Sequence, residues 1–179
     1  MRGPREATLV TGTRSPERLV VQGEQDDLAD RLSDGVIDLV LADRTPADPS
    51  KGYVPSLQYH ITLHGSDIRI GAIRLRTGYA PSLLYAGHIG YDVEEIHRGH
   101  HFAARACLLL QEVAMAEGLT RLIMTCDPSN VASRRTCERV GAKKEGIFDL
   151  PPEHGLFRKG YRQISRYNWD LSETNSGRF

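Results

Sequence analysis

The apolar rhythm of the chain changes once between residues 57 and 118, and that change limits the folds open to it. Leu57, Tyr59, Ile61 and Leu63 alternate with Gln58, His60, Thr62 and His64. A period of two marks a strand with one buried face. Gly65-Ser66-Asp67 turns the chain, and Ile68, Ile70, Ala72, Ile73 and Leu75 continue it, so the segment is read as an antiparallel hairpin. Residues 85–93 are read as a third strand holding Gly87 and Gly90, which weaken it and point to a bulge or a close approach of backbone or ligand. Phe102, Ala106, Leu109, Leu110, Val113 and Ala114 then recur at three- and four-residue steps, the stripe of an amphipathic helix that ends at Gly118.

Around this centre the other elements are shorter. Residues 25–32 read as a small helix stopped by Gly35, residues 36–42 as a strand, and the proline-rich stretch 43–55 as a loop. Residues 119–125 read as a strand, 130–140 as a second helix closed by Gly141, and the loosely alternating stretch 160–171 as a final strand. The expected class is α/β (α+β), one sheet with its helices late in the chain. The expected organisation is a polar leader over 1–18, a single domain over 19–171 and a flexible tail over 172–179.

Composition narrows the function. The chain has 179 residues, 40% of them hydrophobic, enough for a real core. Its 23 Lys and Arg balance 23 Asp and Glu, so no overall field draws it to nucleic acid or to a membrane surface. The 3 cysteines, Cys107, Cys126 and Cys137, have no paired spacing, which argues against a disulfide framework or a zinc ribbon. No apolar run approaches the roughly 18 residues of a membrane helix, and the first residues lack the apolar stretch of a secretory signal. The expected location is the cytoplasm.

The segment from Val93 to Ala103 joins the glycine-weakened strand to the strong helix. A helix N-terminus offers unpaired N–H groups and partial positive charge, the two things a pyrophosphate needs. Gly99 allows backbone to approach a ligand, and Arg98 adds a cation. The same segment also reads as an ordinary strand-to-helix turn that carries an arginine. His97, His100 and His101 crowd it, but no carboxylate or cysteine set completes a metal site, and no metal is expected.

Arg98-Gly99-His100-His101-Phe102-Ala103 resembles the pyrophosphate loop of the GNAT superfamily of N-acetyltransferases, Arg/Gln-x-x-Gly-x-Gly/Ala. It departs from that pattern at His101, where the family usually has glycine. Residues 127–142 are similar to the family's late helix, Asn-x-x-Ser/Ala through to Gly-Phe/Ala, and are especially close to the ribosomal-protein (Rim-type) branch. Gly87-His88-Ile89-Gly90-Tyr91 resembles the family's fourth strand. The resemblance covers roughly residues 36–171. It implies a mixed, mostly antiparallel sheet that splays between the family's fourth and fifth strands, flanked by helices.

It also implies acetyl-CoA as co-substrate and an amine as acceptor, either a small molecule or a protein N-terminus, with a homodimer as one assembly. The backbone at Tyr91, Asp92 and Val93 would then bond the pantetheine arm. The amides of Gly99, His100, His101, Phe102 and Ala103 would hold the pyrophosphate beside Arg98, and Asn130 and Ser133 would contact the arm near its sulfur. Asn130 also reads as a plain helix N-cap. Many family members place a tyrosine seven residues after that asparagine; here the position is Cys137, so Cys137 and Ser133 are the candidates for protonating the departing thiolate. Asp92 and Glu94, then Glu95 and His88, are the candidate general bases. Tyr53, Tyr59, Tyr79, His154, Phe157 and Tyr161, together with the loops 43–55 and 146–160, are the candidate acceptor lining. A non-catalytic acyl-CoA sensor of the same fold, another acyl group or a hydroxyl acceptor, and a nucleotide-binding α/β domain are the competing functions.

Overall fold

In the computed structural model, which describes residues 30–172, the alternating apolar segments form the larger of two antiparallel sheets. Strands β1 (Arg31–Ser33), β2 (Ile37–Thr45), β3 (Ser56–Leu63), β4 (Arg69–Arg76) and β5 (Ile89–Val93) lie in sequence order. Each is hydrogen-bonded antiparallel to the next. A short helical turn, α1 (Leu83–Ala86), precedes β5. Helix α2 (Phe102–Ala116) follows, then β6 (Arg121–Cys126), α3 (Val131–Arg139), β7 (Lys143–Asp149), the single turn α4 (Gly155–Arg158) and β8 (Gln163–Asp170). The second sheet has the order β6-β8-β7.

The period-two residues do what their pattern predicts. Tyr59, Ile61, Ile73 and Leu75 have no exposed surface. They meet Ala106, Cys107, Leu110 and Ala114 of α2 in one core, which continues through Leu122, Tyr167 and Trp169 of the second sheet. Burying each large apolar side chain contributes about 1.5–3 kcal/mol. The far end of the first sheet is tied by charge. Asp34 accepts the N–H groups of Val36 and Ile37 at 2.9 Å each and pairs with Arg105 of α2 at 2.7 Å. Burial alone would raise the carboxyl of Asp38, but His64, Ser33, Arg31 and the Gly65 N–H hold it well below the usual carboxylate range.

Four expectations need correction. Residues 25–29 of the proposed early helix lie outside the described residues, and Arg31 and Leu32 belong to β1, paired with β2. Strand β2 runs on to Thr45, into the proposed loop. Tyr85 and Ala86 are helical, because Gly87 at φ +69° breaks the path before β5. Strand β7 was not anticipated: Lys143-Lys144-Glu145 opens it, most of its side chains are exposed, and no buried alternation marks it. The leader over 1–18 and the tail from 173 onward lie outside the described residues.

The expected splay is present. Strands β5 and β6 belong to different sheets and share no ladder. They come together at His88, whose N–H donates to the Ile123 carbonyl at 2.7 Å, and then part. On its other side β5 is paired with β4, and the bonds Arg76 N–H to His88 C=O (2.8 Å) and Glu94 N–H to Ile70 C=O (2.9 Å) fix the phase. Hydrogen-bonded pairs alternate along an antiparallel ladder, so the even residues face β4. The N–H and C=O groups of Ile89, Tyr91 and Val93 therefore line an edge that no strand pairs and that faces the gap, with the Val93 carbonyl accepting from the Arg98 side chain.

Candidate active site

The start of α2 is built to meet an anion. The first helical bonds run from Ala104 and Arg105 to the His101 carbonyl, at 3.0 and 3.1 Å. Among the described residues, the amides of Gly99, His100, His101, Phe102 and Ala103 donate to no protein acceptor. Helix geometry leaves the last of these donors, from His101 to Ala103, orphaned, and the left-handed Gly99 (φ +89°) extends the series backwards. His101 also sits in the left-handed region, at φ +62°, and no other non-glycine residue among those described does so. This is the conformation that a glycine would supply without strain. The histidine keeps it and gains a partner: its Nδ1 lies 2.8 Å from the Arg139 guanidinium of α3.

Of the residues from Gly99 to Ala103, all except His100 line a cavity of about 620 Å³ between β5, α2 and α3. Tyr91, Asp92 and Val93 line it from the strand, and Arg98, Gly99, His101, Phe102 and Ala103 from the turn. Asn130 and Ser133 line it from α3. Arg98 is pinned by its Nε, which donates to the Val93 carbonyl at 3.1 Å. Asn130 is the N-cap of α3: its Oδ1 accepts the Ser133 N–H at 3.0 Å. Both readings of Asn130 thus fall on one side chain, which caps the helix and lines the cavity.

Four expected residues are placed elsewhere. His100 is exposed and stacks on Phe102, with ring centroids 5.4 Å apart, outside the lining. Glu94 lies one residue beyond the lined part of β5. Cys137 is buried under α3 at 2% exposure and does not line the cavity. It shares a hydrogen bond with Cys126, which with burial pushes the Cys137 thiol far up. His88 does not accompany Asp92 on an open face. It is buried, and its Nδ1 already accepts the Ile123 N–H at 3.0 Å.

The cavity also holds residues that were not anticipated. Ala132, Arg135, Thr136 and Arg139 face it from α3, and His97 from the turn before α2. On α3, Thr136 and Arg139 follow Ser133 in steps of three, and Ala132, Arg135 and Arg139 form a neighbouring row in steps of three and four, a spacing that could have found them. The Tyr91 side chain is a further case. The resemblance concerned its backbone, but its phenol reaches the α3 wall, where the Ser133 and Thr136 hydroxyls face it. Burial, with Cys107 nearby, pushes the phenol well above its ordinary value. It therefore keeps its proton at neutral pH and is a donor.

The candidate acceptor residues divide. Tyr59 is core. Tyr79 stands edge-on to His88, and His154 caps α4 and tilts against Tyr85. Phe157 lies beneath Arg162. Tyr161 lines an open groove of about 520 Å³ with Asp127, Ser129, Arg162 and Gln163, next along the chain to Asn130.

Comparison with known proteins agrees with this geometry. The chain is 27% identical over 85 residues to an uncharacterized N-acetyltransferase, YnaD, of Bacillus subtilis (strain 168), an alignment covering 46% of this chain and 50% of the relative. The chain thus spans about half the length of the curated relative it matches. Among solved structures it resembles a GNAT-family acetyltransferase of Bacillus anthracis, with a TM-score of 0.52 and 26% identity over 65% of this chain and 67% of the other. Its fold is also that of a GNAT-family protein of Chromobacterium violaceum (TM-score 0.58, 17% identity, 95% of this chain and 96% of the other). It is shared again by RimJ of Mycobacterium smegmatis in complex with CoA-disulfide (TM-score 0.52, 23% identity, 69% and 56%). The family model described as "Acetyltransferase (GNAT) domain" matches residues 30–143, well over half of the chain. That match takes in the unpaired amides, the open strand edge and the whole of the capped late helix, and the chain belongs to the GNAT acetyltransferase family.

Proposed function

We propose that the chain is an acetyl-CoA-dependent N-acetyltransferase that passes the acetyl group to an amine by direct attack in a ternary complex. The observation that carries this reading is the run of unpartnered amides from Gly99 to Ala103, opening on a cavity whose wall continues into the free edge of β5. A diphosphate followed by an extended diamide is the ligand that these two donor sets complement.

Each residue then has a role. The amides of Gly99 to Ala103 hold the pyrophosphate, with Arg98 adding charge from its anchored position. The edge groups of Tyr91 and Val93 bond the amides of the arm as an added strand would, and an edge N–H polarises the thioester carbonyl. Asp92, exposed at the same edge, takes the proton of the attacking amine, directly or through water, with Glu94 next in line. Asn130 and Ser133 steady the arm near its sulfur. The Tyr91 phenol, rather than the Cys137 thiol, gives its proton to the leaving thiolate. The groove by Tyr161 and Arg162 receives the acceptor, a protein N-terminus or a small amine. A sensor that binds acyl-CoA without turnover is the second reading, favoured by the thiol that stands where relatives carry a tyrosine.

Melting temperature tests the ligand class. Acetyl-CoA and CoA at saturating concentration should raise it by about 5 °C, while ATP should not. Arg98→Glu should lose most of that rise; a variant that keeps it removes the pyrophosphate from this turn. Release of CoA over a panel of amines then separates enzyme from sensor.

A further inference from the structure

His88 stands where the two sheets touch, and it serves both. Its carbonyl accepts from Arg76 of β4, and its N–H donates to Ile123 of β6. Its ring then does what a strand carbonyl does in a regular ladder: Nδ1 accepts the Ile123 N–H at 3.0 Å. One residue thus satisfies both backbone groups of Ile123, one with its main chain and one with its side chain. The approach is close. A Cβ on the preceding Gly87 would stand 3.1 Å from the Thr125 N and 3.2 Å from the Ile123 carbonyl oxygen. The ring is 1% exposed, and its Nε2 is sealed from solvent without a hydrogen bond of ordinary length. Because Nδ1 accepts, the proton of the neutral ring sits on Nε2.

We propose that His88 is the positioning residue of the cleft: by clamping Ile123 it sets how far β5 and β6 stand apart, and so where the Tyr91 and Val93 edge groups meet an acyl-pantetheine arm. This rests on the acetyl-CoA reading above. Tyr91 lies three residues beyond the clamp, about 10 Å along an extended strand. A change of angle at the clamp therefore moves the edge groups by a distance that a hydrogen bond does not tolerate. The Gly99 turn is held separately, through Arg98 on Val93 and His101 on Arg139.

The clamp works only with a neutral ring. A proton on Nδ1 would face the Ile123 N–H, donor against donor. The titratable groups that face the ring are Arg76, whose Nη1 donates to the Gly87 carbonyl at 3.0 Å, and Tyr79, edge-on at 5.6 Å. Burial lowers the ring's affinity for a proton in the folded chain and outweighs the backbone of Ile123 and Gly78, which favour the proton; Arg76 adds to the lowering. The unfolded chain binds that proton more readily, near pH 6.5. The clamp's contribution is therefore complete above that pH and is lost as the pH falls below it.

The test compares two ligands by calorimetry. 3′,5′-ADP can meet only the Gly99 end of the cavity, whereas CoA also lays its arm along β5. His88→Leu, which cannot accept from Ile123, should weaken CoA about tenfold while leaving 3′,5′-ADP within about twofold. His88→Asn, whose Oδ1 can accept, should recover most of the CoA affinity. In the wild type the ratio of CoA to 3′,5′-ADP affinity should fall below pH 6, and in His88→Asn it should stay flat. Equal loss for both ligands in a folded His88→Leu, or no loss for either, overturns the proposal. Failure of the asparagine to rescue, or a ratio that ignores pH in the wild type, overturns it as well. A wild-type protein that binds neither ligand overturns the acetyl-CoA reading itself, a different result.

Discussion

A phenol on β5 reaches the stretch of helix wall where the family resemblance leads one to expect a tyrosine on the helix itself. Tyr91 approaches Ser133 and Thr136 from the strand, while Cys137 turns into the core against Cys126. In the proposed mechanism the proton donor changes element, since only its atom at the sulfur would matter, not the backbone that carries it. Tyr91→Phe keeps the packing and removes the hydroxyl. It should lower kcat about tenfold to a hundredfold with KM for acetyl-CoA nearly unchanged, and Cys137→Ser should leave kcat within about threefold, both read in a steady-state assay of CoA release. Equal effects from the two would return the role to the helix. Strand alternation was enough to place Tyr91 on one face of β5. It could not say that this face meets α3, because that depends on packing between elements distant in the chain.

Helix α3 shows how one side chain can serve fold and site together. Asn130 caps the helix with its Oδ1, and its amide nitrogen remains for a ligand. Asn130→Ala should cost about 1 kcal/mol in urea unfolding. Asn130→Asp keeps the acceptor and loses the donor, so it should unfold like the wild type yet bind CoA several-fold more weakly. If the aspartate variant binds as the wild type does, the residue is a cap and nothing more. Elements of this kind were legible in advance, because an N-cap, a three-four step and a closing glycine are local signals. The hairpin at 57–75 and helix α2 were legible for the same reason. Strand β7 was not. It is a half-exposed edge strand whose charged opening is allowed by pairing with β8, a long-range fact with no local trace. Strand β1 has three residues and exists only through β2.

The whole molecule is two sheets that share a core but not a ladder. Local patterns predicted most of the strands, and the resemblance predicted the splay. The strand order of the second sheet and the burial of His88 at the junction emerge only when the sheets are brought together. The parted sheets leave Ile89, Tyr91 and Val93 with main-chain groups that no protein strand covers. Such an edge is adhesive: it will accept any extended segment, including one from a neighbouring copy. An empty edge of this kind is open to pairing with a second copy of the chain, and a ligand laid along it would close it. Light scattering at high protein concentration should show slow self-association of the empty chain, abolished by CoA but not by 3′,5′-ADP, which leaves the edge bare. In that sense the nucleotide thioester carrier would be a solubilising agent as well as a reactant.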